Sequence, residues 1–102
     1  MLPEMTDEQR AAALARAHEA RAIRAEIRVL LKSGSITFLD VLDRAEENTL
    51  VAGMKIQAVV VSMPHMGTVA TKRLFEEIGI ADNRTIRGLG KNQRKALIER
   101  FP

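Results

Sequence analysis

The chain has 102 residues, a formal net charge of +3, and no Cys, Trp or Tyr. That size fits one domain with one modest aliphatic core, and the lack of Cys excludes a disulfide framework, a thiolate nucleophile and a Cys-based zinc site. His18 and His65 are too few for a metal site and no apolar run reaches membrane-spanning length, while a pI near 9.8 favours a polyanionic partner.

Residues 1–6 read as a mobile tail. The tail has neither the basic flank nor the apolar stretch of a signal peptide. Thr6 with Gln9 three residues on is a capping-box signature. A long helix then covers residues 7–33, with no Gly or Pro until Ser33-Gly34-Ser35. At about 100° per residue, Ala13, Ala20, Ile23, Ile27, Leu30 and Leu31 share a sector, with Arg16 intruding. Glu8, Glu19 and Glu26 run along one edge of it. Arg10, Arg21, Arg24, Arg28 and Lys32 form a stripe along the other. The stripe is either a solvated face or a rail along a phosphate backbone.

Thr37 or Ser35 can cap a short helix over residues 38–46, with Phe38, Leu39, Val41, Leu42 and Ala45 on its buried side. Asn48 and Thr49 mark the next boundary, before a turn of helix that bends at Gly53. Residues 55–63 carry Val59-Val60-Val61, which has strand propensity. Period alone does not assign so short a run. Helical surroundings and the lack of a partner strand favour helix.

Pro64 ends that run, because it cannot extend a helix and pushes Met63 out of the α region. A tight turn follows, with Gly67 at its end as a position for φ > 0 or for close backbone approach. Thr68 is the expected N-cap of the next helix, with Val69, Leu74, Phe75 and Ile78 inward and Gly79 just past its end. The free amides at that helix start suit a phosphate oxygen, with Lys72 and Arg73 one turn further on. Pro64, beside His65, is either a plain helix stop or a rigid tip that wedges between base pairs.

Residues 81–90 read as a loop. Arg84 and Arg87 are its exposed cations, and Gly88 and Gly90 bracket Leu89, which is expected to be pinned to the core. A last helix spans residues 91–101. Leu97, Ile98 and Phe101 face inward; Lys91, Arg94, Lys95 and Arg100 face outward. Cations in a first turn oppose the helix dipole, a modest cost that an arriving anion offsets. No catalytic constellation, P-loop or dinucleotide fingerprint is present in the sequence, so no cofactor is expected and the chain reads as a non-enzyme.

These residues carry a resemblance over nearly the whole chain. The opening Leu2-Pro3 and Thr6-Asp7-Glu8-Gln9-Arg10, then Gly53-Met54-Lys55, Pro64-x-x-Gly67 and Arg87-Gly88-Leu89-Gly90-x-x-Gln93-Arg94-Lys95-Ala96-Leu97 resemble the integration host factor family of actinobacteria. The resemblance implies an all-α fold: a long N-terminal helix packed on a compact helix–two-turns–helix module over residues 37–102, in a single domain 1–102. It implies a cytoplasmic, nucleoid-associated protein that binds double-stranded DNA with little sequence preference, bends and compacts it, and acts as a host factor for phage integrase complexes. It places DNA contacts on Arg84 and Arg87; by their clustering in the sequence, Gly88, Lys91 and Arg94 are candidate contacts beside them. Thr85 stands where relatives carry another basic residue, and His65, Thr68 and Ala70 stand where lysines are common.

Two rivals follow from the same module. An RNA-binding, ribosome-associated protein would be expected to carry a basic tail, where this sequence closes on Phe101-Pro102. A DNA-repair lyase would need a proline amine at the N-terminus, where Leu2 precedes Pro3. With no strong heptad repeat, a monomer is expected.

Overall fold

The computed structural model describes residues 4–102, so Met1, Leu2 and Pro3, half of the expected tail, lie outside the described residues. Six helices follow in order: α1 (Asp7–Lys32), α2 (Phe38–Glu47), α3 (Thr49–Ala52), α4 (Ile56–Val61), α5 (Thr68–Ile78) and α6 (Lys91–Arg100). The described residues hold no strand. One isolated antiparallel bridge joins Lys55 to Thr85.

The first three helices begin on side-chain caps. Thr6 Oγ1 accepts the Gln9 N–H at 3.1 Å, and Gln9 Oε1 accepts the Thr6 N–H at 2.9 Å. Thr37 and Asp40 repeat that box on α2, and the two hydrogen bonds from Thr37, backbone first and then side chain, hold the Asp40 carboxyl below its usual pKa. Asn48 Oδ1 caps α3 through the Leu50 amide. These contacts satisfy helix donors that would otherwise be orphaned.

The stretch expected as helix over residues 55–63 is helical only over Ile56–Val61, which is α4. It stops at Val61, with Ser62 as its C-cap, because Pro64 restricts Met63. The last helix likewise ends one residue early: Phe101 leaves helical geometry so that its ring packs against Phe38, centroids 5.8 Å apart. Gly53, expected to allow a bend, is the C-cap of α3 and takes ordinary right-handed geometry there.

The core joins Ile27 and Leu31 of α1, Phe38, Val41 and Leu42 of α2, Val51 of α3, Ile56, Val59 and Val60 of α4, and Leu74 and Phe75 of α5, closed by Ile86, Leu97 and Phe101. Two residues expected inside are exposed. Leu39 falls off the face that Phe38, Val41 and Leu42 define. Val69 is 65% exposed, and Thr71 takes its place on the buried face of α5.

Only the second half of α1 packs on the module. Ala13 is exposed and Leu14 is 61% exposed, whereas Ile27 and Leu31 are buried. A 26-residue helix is about 39 Å long, and the molecule measures 46 × 31 × 25 Å. The first half of α1 therefore projects from the body.

Candidate nucleic-acid interface

The loop of Arg84 and Arg87 is clamped by its backbone. The Ile56 amide donates to the Arg84 carbonyl, the Ile86 amide to Met54 and the Arg87 amide to Ala52, each at 2.9 Å. Ile86, 1% exposed, drives into the core between them. The alternation leaves Arg84 and Arg87 on the outside of a rigid edge, both exposed. Leu89 was expected to anchor this loop. It does pack against the core but is only half-buried, and Ile86 is the main anchor. A lone apolar residue between Thr85 and Arg87, without a repeat, gave no directional signal for it.

Gly88 closes the loop tightly. A side chain there would sit 3.2 Å from both Arg84 Cδ and Thr85 Oγ1. The Thr85 hydroxyl accepts the Gly88 N–H at 3.1 Å, and Arg84 Nη1 donates to the Gly88 carbonyl at 3.2 Å. Thr85 thus holds the turn that aims the arginines. Gln93 ties the next element in place: its Oε1 accepts the Gly90 amide, and its Nε2 donates to the Gly79 carbonyl at 2.8 Å. That bond links the start of α6 to the end of α5.

Lys91 is exposed in the first turn of α6, as expected. Arg94 is not fully outward. It is half-buried, sharing a hollow with Ala52, Ile86 and Arg87 because its stem covers apolar surface at the base of the loop.

The turn before α5 differs from its expected geometry in two respects. Gly67 is extended at φ −133, and the left-handed position falls instead on His65 at φ 66. The N-cap of α5 is Gly67, not Thr68, and no side chain caps the helix. The chain folds this way because Met63 and Met66, both half-buried, pack against the core on either side of exposed Pro64 and His65. The Met66 amide closes the turn onto the Met63 carbonyl at 3.1 Å.

Helix α5 has no acidic residue in its first turn, in contrast to α1 and α2. Its Thr71 amide bonds the Gly67 carbonyl, while the amides of Thr68, Val69 and Ala70 find no acceptor among the described residues. Such a helix start favours an anion. Lys72 and Arg73 are exposed on the following turn.

On α1, Arg21, Arg24 and Arg28 are exposed. Arg28 alone of the three is tied to the module, its Nε donating to Ser62 Oγ at 3.3 Å. Ser62 in turn donates to the Ala58 carbonyl. Arg21 Nη2 lies 3.2 Å from His18 Nδ1 on its own helix. The structure thus joins Arg28 to the end of α4 and Arg87 to Arg94, but sets Arg21 and Arg24 further out along α1. The sequence reading missed Lys55. It is exposed and paired with Thr85 through the β-bridge, so it extends the arginine edge toward α5. Although it belongs to the Gly53-Met54-Lys55 motif, it stands between Met54 and Ile56 with no cation beside it to mark a basic patch. Among the described residues no group of acids and histidines could hold a metal, and no helix is long and apolar enough to cross a membrane.

The uncapped start of α5 and the clamped arginine loop both lie within residues 31–101, the stretch that matches the profile of the S13-like H2TH, or helix–two-turns–helix, domain family. Proteins named integration host factor are similar along almost the full length. Those of Mycobacterium tuberculosis and Mycolicibacterium smegmatis are each 45% identical, over 98% of this chain and 95% of their own. That of Streptomyces coelicolor is 41% identical, over 98% of this chain and 94% of its own. A solved structure described as sIHF bound to an 8-bp palindromic DNA superposes with a TM-score of 0.81 at 35% identity, covering 86% of this chain and 99% of that one. The chain belongs to the integration host factor family of S13-like H2TH proteins.

Proposed function

We propose that this protein is a monomeric, non-enzymatic binder of duplex DNA that bends and compacts it on the nucleoid, in the cytoplasm, and serves as a host factor in phage integration. The observation that carries the reading is the rigid edge of exposed Arg84 and Arg87, held by buried Ile86 and continued by Lys55 toward the open start of α5. The relative described as bound to an 8-bp DNA supports a duplex as the ligand. The cations are fixed to backbone structure and suit phosphates, which position a protein without specifying sequence.

Binding is therefore expected to be steeply salt-dependent and nearly indifferent to sequence. Affinity falls by about 0.9 log unit per log unit of salt for each phosphate neutralised. Fluorescence anisotropy across a salt series, on unrelated duplexes and on a hairpin RNA, measures it. A flat dependence overturns the electrostatic reading, and tighter binding of the RNA moves the function to the ribosome-associated class.

Bending is assigned to Pro64. It is exposed between half-buried Met63 and the left-handed His65, so the tip is stiff. Apolar tips of this kind unstack one base step at a cost of about a few kcal/mol. Pro64→Ala is expected to keep the fold and most of the salt-dependent affinity while lowering the bend. Energy transfer between dyes at the duplex ends reads it out. An unchanged bend leaves Pro64 as a helix stop.

A further inference from the structure

Between α1, α4 and α5 lies a cleft of about 320 Å³, lined by Arg28, Lys55, Gln57, Ala58, Val61, Thr68 and Thr71. Two cations and no carboxylate stand among those residues. Thr68 brings the start of α5 to the cleft, where the three first-turn amides meet no acceptor. Gly67 leaves that approach open, since a side chain built there would meet nothing within 4 Å.

Thr71 supplies an independent observation. It is 1% exposed, and its hydroxyl is buried with no hydrogen-bond partner. An orphaned buried hydroxyl is costly, and a threonine in a helix could have been valine at that position with no such cost. Its position on the wall of a basic cleft gives the hydroxyl a use: an acceptor that arrives from outside. Lys55 is bridged to Thr85, so the cleft is continuous with the arginine edge. Arg28 bonds Ser62 two residues before Pro64, so its opposite wall reaches the tip.

We propose that this cleft seats a single phosphate of the DNA backbone. Arg28 and Lys55 supply the charge, Gln57 and the Thr71 hydroxyl donate, and the amides of Thr68, Val69 and Ala70 complete the cradle. The proposal rests on the DNA-binding reading and adds the seat between the tip and the arginine edge, fixing the register of the two on one backbone. The charge, the helix start and the orphaned donor all answer to the monoanionic, tetrahedral oxygen cluster of a phosphodiester.

The test uses the full chain and two variants. In a salt series with a short duplex, Arg28→Gln with Lys55→Gln is expected to lower the slope by about 0.9, one phosphate. A fall of about 1.8 would mean two separate phosphates and overturn the shared seat. Thr71→Val is expected to melt no lower than wild type yet bind the duplex about tenfold more weakly. A Thr71→Val protein with wild-type affinity overturns the hydroxyl's part in the seat. NMR of the labelled protein separates the sources of phosphate. The amides of Thr68, Val69 and Ala70 are expected to shift with duplex. Shifts with inorganic phosphate but none with duplex would assign the cleft to a free phosphate compound. If wild type binds duplex steeply and every variant follows its titration, the seat falls and the DNA reading stands. If wild type binds no duplex at low salt, both fall.

Discussion

Replacing Arg84 and Arg87 together by alanine is expected to weaken duplex binding by roughly a hundredfold and to leave the fold in place. Each guanidinium is exposed on an edge whose backbone is held by Ile56, Met54 and Ala52, not by the side chain. A hydrogen bond to a charged group contributes about 1.5 kcal/mol at the low end, so two such contacts account for that factor. The salt slope is expected to fall by about two units, one per phosphate contact. Arg84 also donates to the Gly88 carbonyl at 3.2 Å, and losing that exposed bond costs about 1 kcal/mol at most. The melting temperature is therefore expected to drop by only about 4–8 °C. Anisotropy and a circular-dichroism melt on one preparation decide the matter. A collapse of the melt together with binding would make these arginines structural.

The converse experiment is Ile86→Ala. Its side chain is the plug that fixes the arginine edge to the core, 1% exposed in a cluster with Val51, Met54 and Leu97. Removing a buried isoleucine to alanine costs about 2–5 kcal/mol, the lost transfer energy plus the cavity. For a domain of this size each kcal/mol lowers the melting temperature by about 4–8 °C. The expected fall is thus about 8–40 °C, and DNA binding is expected to weaken even at temperatures where the variant is folded, because the loop loses its rigid footing. A wild-type melt in Ile86→Ala would show that the three backbone bonds alone hold the edge.

The contrast between these substitutions also shows which features were legible in the chain. Thr6 with Gln9 and Gly79 after Ile78 announced helix ends because a cap is a local bargain among neighbours. Arg84 and Arg87 were legible because the loop has no apolar period to hide them in. Ile86 was not, since one apolar residue without a repeat carries no directional signal. Gly67 was read by type as a position for φ > 0 or for close backbone approach, and the left-handed residue falls on His65, because the packing of Met63 and Met66 sets the turn. Lys55 was overlooked for a similar reason: only the tertiary bridge to Thr85 brings it to the arginine edge. Local chemistry was thus readable, and the residues that depend on long-range contact were not.

The projecting half of α1 separates stability from charge. Over residues 7–22 the side chains are exposed apart from half-buried Ala17 and Ala20. There the backbone is held by its own ladder and the Thr6–Gln9 box. An isolated helix of about that length sits close to the helix–coil balance in water. Its outer turns can therefore fray and re-form while Ile27 and Leu31 stay locked in the body. Electrostatic reach can accordingly drift from relative to relative, through Arg10, Arg16 and Arg21, while the cooperative unit that melts as one is left untouched.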